Sequence, residues 1–238
     1  MTRNLLKTVM AMEPELAEKI AKTHSYTAEQ RVEHAIARAK QAHAILDEII
    51  AQLKPGVLES EIKQFALDCF ARHGIERTWH PPYVRFGEHS LLTFMEKNKE
   101  DHTLAEDDIA FVDIGIVHDG VEGDAGRTVV FGNDSEKCRL ADASSTIFHE
   151  AIDFWQRHNP RGIALYEHIY ALADKMNVAW NLDPAGHLIG AFPHRGWKRG
   201  INHFPESVES GKWILEIQIK HKELPYGAFY ENLLYAPT

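Results

Sequence analysis

What the chain has little of narrows its class first. It holds only two cysteines, Cys69 and Cys138, far apart and in no metal-like spacing. A disulfide framework is therefore not expected, and a reducing compartment, the cytoplasm, is the expected location. There is no basic run of five or more residues, and the net charge is −9. No nucleic-acid partner is expected from that balance. The apolar stretch near the N-terminus is short, lacks a small-residue cleavage site and runs straight into acidic residues. Neither a signal peptide nor a membrane partner is expected. Low-complexity tracts and long flexible linkers are absent as well.

What is present is an ordinary globular composition, 44% apolar and 26% charged over 238 residues. Such a length buries a substantial core. Residues 29–53 place Val32, Ile36, Ala39, Leu46, Ile49 and Leu53 at helical spacing, and Lys54-Pro55-Gly56 stops that helix. A second helix is expected over 59–73, with Ile62, Phe65, Cys69 and Phe70 on one side. Two strands follow within 112–132. Helices are then expected over 135–158 and 163–177, and strands over 213–220 and 228–236. The order helix, helix, strands thus occurs twice, which points to an internally duplicated α+β unit. Residues 1–28 read as a helical extension ahead of a single domain spanning 29–238. One count stands out, 15 histidines, because histidine is the commonest metal ligand and proton carrier.

The stretch VDIGIVHDGVEGDAGRTVVFG, residues 112–132, puts two carboxylates inside apolar strands. Asp119-Gly120 is a strong signal for a two-residue type I′ turn. With that loop, 118 faces 121, 115 faces 124 and 113 faces 126. Cross-strand partners share a face, so Asp113 and Asp124 lie on one face as diagonal neighbours, with Cβ atoms about 7 Å apart. Gly115 and Gly126 share that face and leave space, while Ile114, Ile116, Val121 and Ala125 are free to pack on the other. A hairpin with one solvated face is one reading; Phe111 and Val117, apolar and on the carboxylate face, weigh against it. Two unpaired buried carboxylates cost several kcal/mol unless a cation offsets them. Further along lie His187 and, seven residues on, His194, in AGHLIGAFPH. Glu216 lies on the polar face of the alternating strand WILEIQIK, and Glu231 shares a face with Phe229, Leu233 and Tyr235.

These residues resemble the pita-bread metallohydrolases: methionine aminopeptidases, aminopeptidase P, prolidase and creatinase. The ligands of that family's peptidases run Asp, Asp eleven residues later, His, Glu, Glu. Asp113, Asp124, His187, Glu216 and Glu231 meet that order, and His194 matches a second histidine that touches substrate. The resemblance covers roughly residues 30–236. It implies an α+β pita-bread fold, two pseudo-symmetric halves around a metal cleft. It further implies two divalent ions (Mn²⁺, Fe²⁺, Co²⁺ or Zn²⁺), bridged by Asp124 and Glu231. Asp113 then completes one ion, and His187 and Glu216 the other. Such ions lower the pKa of a shared water and polarise a scissile carbonyl. Glu216 is the expected proton acceptor, and His194 the expected oxyanion or substrate contact.

The implied reaction is hydrolysis of the amide bond next to a free N-terminus. The partner is a peptide; the Xaa-Pro and methionine types are not resolved, and a homodimer is compatible. The family's peptidases carry one more histidine, some 17 or 18 residues before the first Asp. Met95 or Glu96 stands there by count, and Phe94 by alignment of PPYVRFGEHSLLTF. His80 and His89 are the nearby stand-ins, in a substrate-binding role. The family's Glu-Pro pair is Glu216-Ile217 here, and Tyr230 stands where proline-directed members carry an arginine. Two other readings stay open: a protein-binding module without catalysis, and a creatinase-like metal-free hydrolase. Tyr83, Phe86, Trp197 and Phe204 are the aromatic candidates for shaping the pocket.

Overall fold

The computed structural model describes residues 14–98, 100–194 and 196–236. The first half of the expected N-terminal extension, residues 1–13, lies outside the described residues. Its second half is helix α1, Pro14–Thr23, which docks Leu16 and Ile20 against Val117 and Phe192.

The first helix pair is α2, Ala28–Ile50, and α3, Glu59–Arg72. Helix α2 opens with a capping box: Thr27 accepts the Gln30 N–H at 3.2 Å, and Gln30 Oε1 accepts the Thr27 N–H at 2.9 Å. Two otherwise orphaned donors are satisfied this way. Strands β1 (Arg77–Thr78), β2 (Tyr83–Phe86), β3 (Asp108–His118) and β4 (Val121–Phe131) follow. The second pair is α4, Ser135–His158, and α5, Gly162–Lys175. After them come β5 (Ala179–Trp180), β6 (His187–Leu188), β7 (Trp213–Lys220) and β8 (Gly227–Leu233). Asp134 caps α4 by accepting the Glu136 and Lys137 N–H groups, each at 2.9 Å.

The helices fall within a few residues of the periodic segments, and the last strand stops at Leu233, short of the expected 236. Short strands β1 and β2 are additions that hydrophobic periodicity does not signal. Strand order along the sheet is β1-β3-β4-β8-β7-β5, with β2 also on β3 and β6 also on β7. A hairpin from each half therefore meets at β4 and β8. Helices α2 and α3 bury Ile45, Ile49 and Ile62 against Val112, Ile114 and Ile116 of β3. Helices α4 and α5 bury Leu140, Ile147 and Ile169 against Leu215, Ile217 and Ile219 of β7. Both helix pairs cover the face carrying those apolar residues, and the opposite face faces a cleft. Among the described residues no helix is long and apolar enough to cross a membrane. Cys69 and Cys138 are both free.

Candidate metal centre

Register places the carboxylates. The β3–β4 hairpin pairs His118 with Val121, Gly115 with Asp124 and Asp113 with Gly126. Asp119 and Gly120 both have positive φ, 51° and 70°, as a type I′ turn requires. Gly126 in turn pairs with Glu231 of β8, and Glu231 with Glu216 of β7. Asp113, Gly126, Glu231 and Glu216 thus form one row across four strands, and cross-strand partners share a face. Gly126 has to lack a side chain, because a methyl there would overlap the Phe229 ring and crowd Glu231. Asp124 projects from the neighbouring row, beside Gly115.

Two imidazoles close on this floor. His187, on β6, brings Nε2 to 3.1 Å from Asp124 Oδ2. His80 follows β1 and brings Nε2 to 3.4 Å from Asp113 Oδ1 and 3.5 Å from Asp124 Oδ1. The Glu216 carboxylate accepts the Gly186 N–H at 2.6 Å. Gly186 lies at φ 67°, and a side chain there would meet the Ile214 carbonyl and the Tyr166 hydroxyl. His194 stands at the cleft wall with its ring 6.0 Å from that of His187. Its Nδ1 lies 2.8 Å from Glu122 Oε2, and its backbone N–H donates to Glu122 Oε1 at 3.1 Å. Glu122 is almost fully buried and also accepts the Gly190 N–H at 3.2 Å. Sequence spacing gave no hint of Glu122, although it sits on the carboxylate face of the predicted hairpin.

The cleft measures about 640 Å³. Trp79, Tyr83, Phe94 and Trp197 form its walls, and Lys198 and Arg199 line it as well. All five expected ligands and His194 line it, and so does His80. His89 does not. Its Nδ1 lies 3.0 Å from the buried Glu59, and its ring stacks on His102 at 3.6 Å. This corrects its reading as a stand-in: a buried carboxylate 30 residues earlier in sequence claims the ring. Phe86 is buried in the first helical core, and Phe204 packs on Trp213, so neither shapes the cleft. Tyr83 and Trp197 do.

The electrostatics are those of a crowded acidic site. Burial pushes the Asp113 carboxyl up to about 7, although His80 pulls the other way. Burial, with the charges of Asp113 and Asp124, holds Glu231 well above the ordinary range. Burial also raises Glu216. Asp124 lies below its ordinary value, because the hydrogen bond from His187 and the nearby charges of His80 and His187 outweigh its burial. Burial disfavours charge on both imidazoles, yet Asp113 and Asp124 raise His80 to about 9, and Asp124 and Glu216 raise His187 to about 9.

A cation fits these residues. Asp113 Oδ1, Asp124 Oδ1 and Glu231 Oε1 are buried without any hydrogen-bond partner. Such orphans are costly unless an ion takes them. Four carboxylates face at most two protonated imidazoles, whereas two divalent ions would balance them. There are two donor sets, each with its ligand atoms all within 4.8 Å of one another: His80 with Asp113 and Asp124, and Asp124 with His187 and Glu231. Asp124 belongs to both.

A prediction in pH follows. A group whose folded pKa is raised stabilises the fold below its ordinary value and loses that contribution as pH rises through the folded one. For His80 and His187 the window runs from about 6.5 to about 9. The metal-free protein should therefore melt at falling temperature between those values, and divalent ions should restore it above them. Scanning calorimetry across that range checks this; a metal-free melting point that rises would contradict it.

The class is that of a metallopeptidase. A family model described as metallopeptidase family M24 matches residues 31–234, and the chain belongs to that family. It is 25% identical over 178 residues to a methionine aminopeptidase of Aquifex aeolicus (strain VF5), covering 70% of this chain and 69% of that one. It superposes on the methionine aminopeptidase of Thermotoga maritima with a TM-score of 0.69, at 18% identity, covering 89% of this chain and 94% of that one. The prolidase of Pyrococcus furiosus gives 0.70 at 17% identity, covering 88% of this chain and 64% of that one. Against the Pyrococcus horikoshii prolidase the covered share is 62%, so the chain spans less than two thirds of either prolidase. The fold is the pita-bread fold of these enzymes.

Proposed function

We propose that this protein is a peptidase that uses two divalent ions to hydrolyse the amide bond next to a free N-terminus. The observation that carries this is the set of three unpartnered buried carboxylate oxygens on one cleft floor, with Asp124 shared between two donor sets. Asp113, Asp124, His187, Glu216 and Glu231 would hold the ions. When bound, the ions supply an activated water and polarise the scissile carbonyl.

The chain's own residues do the rest. Glu216 sits at the cleft floor, its Oε2 anchored by the Gly186 N–H. Its other oxygen is left to receive the proton of the attacking water. His194 is oriented by Glu122: in its imidazolium form, Nδ1–H is donated to that carboxylate and Nε2–H is left to donate to the substrate carbonyl. Trp79, Phe94 and Trp197 exclude water from the reacting bond. Low identity to both methionine aminopeptidase and prolidase leaves the preferred N-terminal residue to experiment.

The test uses metal-free protein reloaded in turn with Mn²⁺, Fe²⁺, Co²⁺ or Zn²⁺ and offered Met-Ala-x and x-Pro peptides. At least one free peptide is expected to lose its N-terminal residue, and its N-acetylated copy to stay intact. Cleavage of the blocked copy, or of no peptide with any ion, would contradict the proposal.

A further inference from the structure

His80 and His187 approach the carboxylates in the same way. His80 donates Nδ1–H to the Pro81 carbonyl at 2.8 Å, and His187 donates Nδ1–H to the Leu188 carbonyl at 2.8 Å. Each ring thereby turns Nε2 towards Asp124, but towards different oxygens. His187 faces Oδ2, while His80 faces Oδ1, one of the two unpartnered oxygens beside it. The other is Asp113 Oδ1.

The ring of His80 is fixed in that pose. It packs edge-on against Trp79 at 4.6 Å and stacks on Tyr83 at 5.1 Å. Beneath it lies Gly115, where a methyl would overlap both Trp79 and His80. Trp79 is tied to the hairpin through its backbone N–H, which donates to the Gly115 carbonyl at 3.3 Å. Two prolines follow His80 and limit backbone freedom. The separations of 3.4 and 3.5 Å are long for a hydrogen bond. They suit two donors on one ion, which lie about 3.0–3.4 Å apart when each is bound at about 2.1 Å.

We infer that His80 is a protein ligand of the ion held by Asp113 and Asp124, so that each of two ions carries one imidazole. This rests on the two-ion site proposed above and adds a ligand to it. A nitrogen donor there would join a set otherwise made of carboxylate oxygens. It shifts the site's preference towards metals that accept nitrogen, Fe²⁺, Co²⁺ and Zn²⁺, and away from Mn²⁺.

X-ray absorption at the cobalt edge counts imidazoles directly. Wild type, His80→Ala and His194→Ala would be prepared metal-free, checked for fold by circular dichroism, titrated with Co²⁺ and measured. Wild type and His194→Ala are expected to bind two ions averaging one imidazole per ion. His80→Ala should average half an imidazole per ion and hold one ion at least about 100-fold more weakly, the upper range for loss of an outer partner alone. Two ions in wild type averaging half an imidazole, unchanged affinity in His80→Ala, or a lower count in His194→Ala would overturn the role of His80 while leaving the two-ion site standing. Wild type that binds no ion would remove the site itself. If His80→Ala does not fold, the wild-type and His194→Ala counts decide the matter.

Discussion

Replacing Asp124 by asparagine is expected to release both divalent ions and to cut peptide hydrolysis by at least about 10⁴-fold, because an ion can lower the pKa of water by roughly nine units. Asp124 is the one residue common to both donor sets, and its two oxygens face different imidazoles. Asparagine keeps the volume and one carbonyl oxygen but removes the charge. The fold should survive, since His80 and His187 can lose their protons once the anion that holds them charged is gone. Ion content by atomic emission and turnover on a cleaved peptide check the prediction. Two ions retained per chain with near-normal turnover would overturn the assignment of the bridge.

Glu122→Ala is expected to reduce turnover by about 10²–10³-fold, the range for losing one oxyanion-type donor, with ion content unchanged. Among the described residues Glu122 makes no hydrogen bond to an expected metal ligand. It holds His194 by ring and backbone at 2.8 and 3.1 Å and the Gly190 N–H at 3.2 Å. Its effect therefore has to travel through His194. His194→Ala should match the loss, and the double variant should be no worse than either single one. Glu122→Gln, which keeps the shape and an acceptor oxygen, should recover part of the rate. Additive losses in the double variant would show that the two act separately, as would lost ions in Glu122→Ala.

The hairpin was the most legible part of the chain. A two-residue Asp-Gly turn fixes the register of everything beyond it, so the shared face of Asp113 and Asp124 follows from local sequence alone. The row continuing through Glu231 to Glu216 does not, because β4 meets β8 about a hundred residues on. Only the resemblance linked those residues in advance. His80 was legible as a candidate but not in its position. It arrives on an irregular segment between two short strands, where neither helical nor strand periodicity exists to orient a side chain. The one local signal was the pair of prolines after it. His89 was misplaced for the opposite reason: its surroundings are dominated by Glu59, fully buried and without sequence proximity. Glu122 was visible on the right face of the hairpin, yet nothing in the sequence showed that the 190–194 segment would fold back to meet it.

The dependence of peptide hydrolysis on added metal tests the central claim most directly. The metal-free protein is expected to leave a peptide with a free N-terminus intact. Its rate should rise with added divalent ion and level off at two ions per chain. A rate that is the same with and without ions, or that reaches its plateau at one ion, would contradict the account.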